Sequence, residues 1–116
     1  MKRLATLSTA VCLLVPTASA EGHYTGGCKK NKCKRHVVQP YKGWLRSVRA
    51  CEVRGQPFPF QTNTGNGFYG AYQFTVRSWY AVGGKGMPHL NRPLEQSYRA
   101  VKLLFLQGRG AWPVCG

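Results

Sequence analysis

The chain has 116 residues, with 17 Lys and Arg against 3 Asp and Glu, a formal charge of +14, 43% apolar residues and 5 Cys. That length and apolar fraction fit one compact domain and exclude a wholly disordered basic tail. There is no Asp, and the only carboxylate side chains are Glu21, Glu52 and Glu95, which excludes carboxylate-cage Ca²⁺ or Mg²⁺ sites, Ser-His-Asp triads and most glycosidase carboxylate pairs.

Lys2 and Arg3 precede an apolar run from Leu4 to Val15, and Ala18-Ser19-Ala20 is a small-residue cleavage pattern. Together they predict a secretory signal peptide over residues 1–20, removed after Ala20. The run is shorter than the roughly 20 apolar residues that a membrane span needs. No later segment is long enough either, so an exported, soluble product with no membrane span is expected. Cleavage would leave a charge of +12 over 96 residues and four cysteines, Cys28, Cys33, Cys51 and Cys115. An even count in a small exported chain favours disulfides. Three pairings are possible. Sequence separation favours Cys28–Cys33 as a local clip and Cys51–Cys115 as a long closure, worth about 2 and about 4 kcal/mol in the chain-entropy picture, but it does not fix the pairing.

Residues 21–39 read as a basic flexible arm holding the Cys28–Cys33 loop, with Lys29, Lys30, Lys32, Lys34 and Arg35 close together. Such a cluster suits long-range attraction to polyanions. Cys28, Cys33 and His36 lack zinc-site spacing and a fourth ligand, so neither a metal nor a cofactor is expected. From Pro40 the character changes, and residues 40–116 form the predicted folded domain. Tyr41, Leu45, Val48 and Cys51–Glu52 recur at helical spacing. Pro57 and Pro59 forbid a continued helix. Asn63-Thr64-Gly65-Asn66-Gly67 is turn chemistry, and Asn66-Gly67 predicts a tight hairpin turn leading into a short strand from Phe68 to Phe74. Thr75 can cap a helix carrying Val76, Trp79 and Tyr80 that ends at Gly83-Gly84. The last helix begins near Asn91 or Arg92. Pro93 falls in its first turn, Glu95 at a capping-box position, and Leu94, Tyr98, Val101 and Phe105 on its buried stripe; Gly108 ends it. Trp112-Pro113-Val114-Cys115 then returns the tail to the first helix. The predicted class is α+β, mainly α-helical, with a short β-hairpin.

Glu52 is the residue with chemical promise. It ends an apolar helix beside a cysteine and ahead of a loop rich in Gly, Pro and aromatics. A carboxyl held against apolar surface has its pKa raised and can stay protonated near neutral pH, as a general acid requires. The positive charge of the chain acts the other way. The competing reading is an ion pair with Arg49 or Arg54.

Cys51-Glu52, Asn63-Thr64-Gly65-Asn66-Gly67-Phe68-Tyr69-Gly70, Gln73-Phe74, Ser78-Trp79, Gly83-Gly84, Glu95-Gln96 and Gly110-Ala111-Trp112-Pro113-Val114-Cys115 follow one another in order. Over residues 45–115 the chain thereby resembles the transglycosylase-like catalytic domain of the resuscitation-promoting factors, a small lysozyme-like fold. The resemblance implies that Glu52 is the catalytic acid and that Cys51 pairs with Cys115. It also implies that Asn66, Gln73 and Ser78 are groove positions, and that the substrate is the glycan of peptidoglycan. Tyr69 is a further candidate for stacking on a sugar face. The chain departs from the family pattern at Leu45-Arg46, at Val53-Arg54-Gly55 and in the longer Pro57-Phe58-Pro59-Phe60 stretch.

With one free acid, the implied chemistry is protonation of the glycosidic oxygen by Glu52. The resulting carboxylate then takes a proton from the sugar's own 6-hydroxyl or from water. Expected partners are peptidoglycan strands, anionic wall polymers on residues 29–35 and a partner wall hydrolase. Nucleic acid is not expected, and the chain is expected to be a monomer, secreted and wall-associated. The reading from another class is a noncatalytic cationic wall-binding or antimicrobial protein that uses the same charge.

Overall fold

The computed structural model describes residues 27–116, so the predicted signal peptide lies outside the described residues. Among the described residues four helices carry the fold: α1 (Asn31–Val38), α2 (Lys42–Glu52), α3 (Val76–Ala81) and α4 (Pro93–Gln107). Single 3-10 turns lie at Gln39–Tyr41, Pro59–Gln61, Pro88–Leu90 and Arg109–Ala111. This is consistent with the small lysozyme-like domain expected.

The core is built around α4, whose Tyr98, Ala100, Val101 and Leu103 are buried. Leu45 and Val48 of α2 and Trp79 of α3 join it, as do Tyr72 and Phe74 from the loops and Trp112 from the tail. The last three helices have sequence reasons. The Leu45–Val48 spacing puts both residues on one face of α2, which ends where Val53-Arg54-Gly55 and Pro57 follow. The Thr75 hydroxyl accepts the Ser78 amide at 3.0 Å and starts α3. Pro93 occupies the first turn of α4, and Gly108, at φ +72°, stops it. Gly84 lies so close to the Trp79 ring that an added Cβ would come within 2.3 Å of it, which is the packing reason for glycine there.

The predicted hairpin does not form. Among the described residues the only β pairing is two isolated antiparallel bridges, Asn63 with Tyr69 and Tyr69 with Phe74. The reason is local. The Asn63 and Asn66 side chains turn back to accept the Gly65 and Phe68 amides. Gly70 (φ +77°) and Gln73 (φ +52°) then reverse the chain, so Tyr69 and Phe74 bond each other in both directions at 2.9 and 3.0 Å. Successive turns leave no run long enough for a strand.

The stretch read as a flexible arm also differs from expectation between 27 and 38. Cys28 pairs with Cys33, and α1 buries Val37 and Val38 against α4. The Cys28 amide donates to the Tyr98 hydroxyl at 2.7 Å, and Lys34 pairs with Glu95 of α4. Glu95 therefore does not close a capping box: Lys34 and Arg99 hold its two oxygens. Phe105 is half exposed and meets Tyr41 edge-on at 5.5 Å; Ala100 and Leu103 take the interior of α4 instead.

Glu95 is partly desolvated, but its bonds to Lys34 and Arg99 hold its carboxyl below the ordinary 4.5. Its stabilising contribution is therefore present above that value and lost as pH falls through the lower folded-state value. Glu95→Gln should cost about 1 to 3 kcal/mol in urea unfolding at pH 7, with the gap to wild type narrowing as the acid range is entered. Replacing Cys51 and Cys115 together by Ser should cost about 4 kcal/mol, more than the same change at Cys28 and Cys33.

Candidate active site

Both disulfides expected from the sequence are present. Cys51–Cys115 joins the end of α2 to the tail across a Cα–Cα distance of 5.7 Å. Between these two cysteines in sequence, Trp112 anchors the tail: its indole N–H donates to the Tyr72 carbonyl at 2.9 Å, and its ring meets Trp44 edge-on at 5.1 Å. The last turn of α2, which carries Glu52, is thereby tied covalently to a segment that is itself packed in the core.

Glu52 is half-buried at the helix end. Neither ion pair open to it from sequence forms. Arg49 instead donates to the Tyr72 hydroxyl at 3.0 Å and lies over the Phe60 ring at 5.2 Å, and the ion pairs among the described residues are the two made by Glu95. Burial raises the pKa of Glu52 above 4.5, so desolvation outweighs the surrounding positive charge. The two described carboxylates are thus opposite in state, one neutralised by two cations and one left unpaired.

A cavity of about 280 Å³ opens between the 68–78 segment, α4 and the tail. Tyr72, Phe74, Leu103 and Trp112 give it a buried apolar base. Gln73, Thr75, Ser78, Arg77 and Gln107 supply polar groups, and Phe68, 44% exposed, adds an aromatic face. Of the predicted groove positions the cavity brings together Gln73 and Ser78. The Gln73 side-chain N–H₂ donates to the Gly70 carbonyl at 2.9 Å. The Ser78 hydroxyl donates to the Thr75 carbonyl at 3.0 Å and lies 2.9 Å from the Thr75 hydroxyl. Asn66, Tyr69 and Glu52 are not among the residues lining this cavity. Asn66 is exposed and serves its own turn, and the Tyr69 ring stacks on His89 at 5.4 Å.

Sequence reasoning missed Gln96. It is fully buried, accepts the Ala71 amide at 3.0 Å, and donates to the carbonyls of Phe60 and Asn91 at 2.8 and 2.9 Å. An added Cβ on Gly70 would come within 2.4 Å of its oxygen. A polar residue within the apolar stripe of α4 was the available signal.

The family model for the transglycosylase-like domain matches residues 41–115. The chain is 55% identical over 72 residues to resuscitation-promoting factor Rpf of Micrococcus luteus, covering 62% of this chain and 30% of that protein. It is 36% identical over 103 residues to resuscitation-promoting factor RpfC of Mycobacterium tuberculosis, covering 89% and 70%. To RpfE of the same species it is 41% identical over 70 residues, covering 60% and 39%. The chain therefore spans less than half the length of two of these three relatives.

Because the folded state raises the Glu52 pKa, it binds the proton more tightly than the unfolded chain does. Its ionisation therefore lowers stability as pH rises from 4.5 through the folded-state value. Glu52→Gln should be at least as stable as wild type at pH 7, and ¹³C NMR of the carboxyl should titrate above the free-glutamate range. A midpoint below that range would contradict the desolvated environment.

Proposed function

This chain belongs to the transglycosylase-like domain family of the resuscitation-promoting factors, and on that basis we propose that it cleaves the glycan strand of peptidoglycan with Glu52 as the acid. The observation that carries the reading is the half-buried, unpaired state of Glu52 in a chain of 17 cations, beside its raised pKa. A neutral carboxyl can give its proton to the glycosidic oxygen as the C–O bond breaks. The carboxylate so formed then takes a proton, either from the 6-hydroxyl of the same sugar, which closes an anhydro ring, or from the attacking water. The enzyme returns to its starting protonation in both cases.

The second step falls to the same residue because Glu95 is committed to Lys34 and Arg99. A two-carboxylate hydrolase needs a second free acid about 5 to 9.5 Å from the first, and the described residues supply no such free group. Gln73 and Ser78 are proposed to meet the N-acetyl and hydroxyl groups of the sugars, with Asn66 and Tyr69 as further candidates outside the cavity. The two disulfides fit an oxidising, extracellular setting, which supports secretion to the wall. Lys29, Lys30, Lys32 and Arg35 remain exposed for anionic wall polymers, whereas Lys34 is held by Glu95.

Digestion of purified walls with mass spectrometry of the released fragments tests the reading. Wild type should release product, and the anhydro and hydrolytic outcomes differ by one water. Glu52→Gln should lower release at least about a hundredfold while binding to walls is retained. Undiminished release by folded Glu52→Gln overturns the assignment; binding without release by wild type favours the noncatalytic cationic reading.

A further inference from the structure

We infer that Arg77 selects a carboxylate-bearing amino sugar over a neutral one in the 280 Å³ cavity. The inference deepens the glycan reading above and rests on it. Arg77 is the one charged side chain lining the cavity. It is exposed, and among the described residues nothing engages its guanidinium, whereas Arg49 and Arg99 are both committed to protein groups. The remaining polar lining, Gln73, Ser78 and Gln107, is uncharged and suits amide and hydroxyl groups. Phe68 offers a ring face for the apolar side of a pyranose.

Such a lining is more than an amino sugar without charge requires. A guanidinium forks onto a carboxylate through two N–H groups, a geometry that no hydroxyl or acetamido group reproduces. In a wall glycan the carboxylate has two sources: the lactyl ether of muramic acid where the strand carries no peptide, and the stem peptide where it does. Arg77 would read either. The general positive charge of the chain attracts any anion and is screened within about 10 Å, so it cannot by itself place a sugar in this cavity.

Calorimetric binding of the whole chain to three probes of equal glycan length tests this: a neutral chitin oligosaccharide, a peptide-free wall glycan and a peptide-bearing one. Wild type should bind at least one carboxylate-bearing probe about fivefold more tightly than the neutral probe. Arg77→Gln should abolish that gap and Arg77→Lys should keep part of it. Lys85→Gln, which removes an exposed cation outside this cavity, should leave it intact. A gap seen with the peptide-free probe assigns the lactyl group; one seen only with the peptide-bearing probe assigns the stem. No gap in wild type, or a gap that survives in Arg77→Gln, overturns the inference. Binding does not require turnover. An Arg77-dependent gap without wall cleavage by wild type sinks the cleavage reading alone, and cleavage without the gap sinks only the role of Arg77.

Discussion

The side-chain amide of Gln96 organises the irregular half of this protein. Without strands between 53 and 75, the backbone groups of that stretch have no ladder to satisfy them. One buried amide partly takes its place: it accepts from Ala71 and donates to Phe60 and Asn91, so three separate loop segments converge on one turn of α4. A buried amide left with unmet hydrogen bonds is costly, so these contacts hold together or are lost together. The positive φ of Gly70 against the Gln96 oxygen follows from that convergence, and the cavity is lined on either side of Gly70 by Phe68 and Tyr72 of the same segment.

The other anchor is covalent. Cys51–Cys115 fixes the end of α2 to the tail, and Trp112 fixes the tail to Tyr72. Tyr72 in turn receives Arg49 and shares a hydrogen bond with Ser97 at 2.7 Å. This removes Arg49 from competition for Glu52. In a chain of this charge an unpaired glutamate needs a reason, and here the nearest basic residue on its own helix is occupied by an aromatic pair, Phe60 and Tyr72. The same logic runs in reverse at Glu95, where two cations converge and α1 is bound to α4 as a result.

Helix spacing, the Thr75 cap and the Gly108 stop were legible because each depends on residues within a turn or two. The hairpin was misread because Asn66-Gly67 is a sound local turn signal, while strand formation also needs uninterrupted extended backbone, which Gly70 and Gln73 deny. Residues 27–38 looked like an arm because charge dominates their composition; the two valines that bind α1 to the core are a short signal beside six basic residues. Glu95 occupied a plausible capping position, but Lys34 lies 61 residues away in sequence and could not be seen as its partner.

The sequence alone determined that the protein is a small, disulfide-rich, strongly basic domain and that the order of its motifs is that of the transglycosylase-like family, and it singled out Glu52 as the candidate acid. Those properties reside in composition, spacing and motif order, which need no third dimension. Only the tertiary structure decided that Glu52 is unpaired while Glu95 is neutralised, that Gln73 and Ser78 share a cavity with Arg77 while Asn66 and Tyr69 do not line it, and that Gln96 binds the loops. Each of these depends on which distant side chains meet, and contact between residues far apart in sequence is set by packing rather than by local pattern.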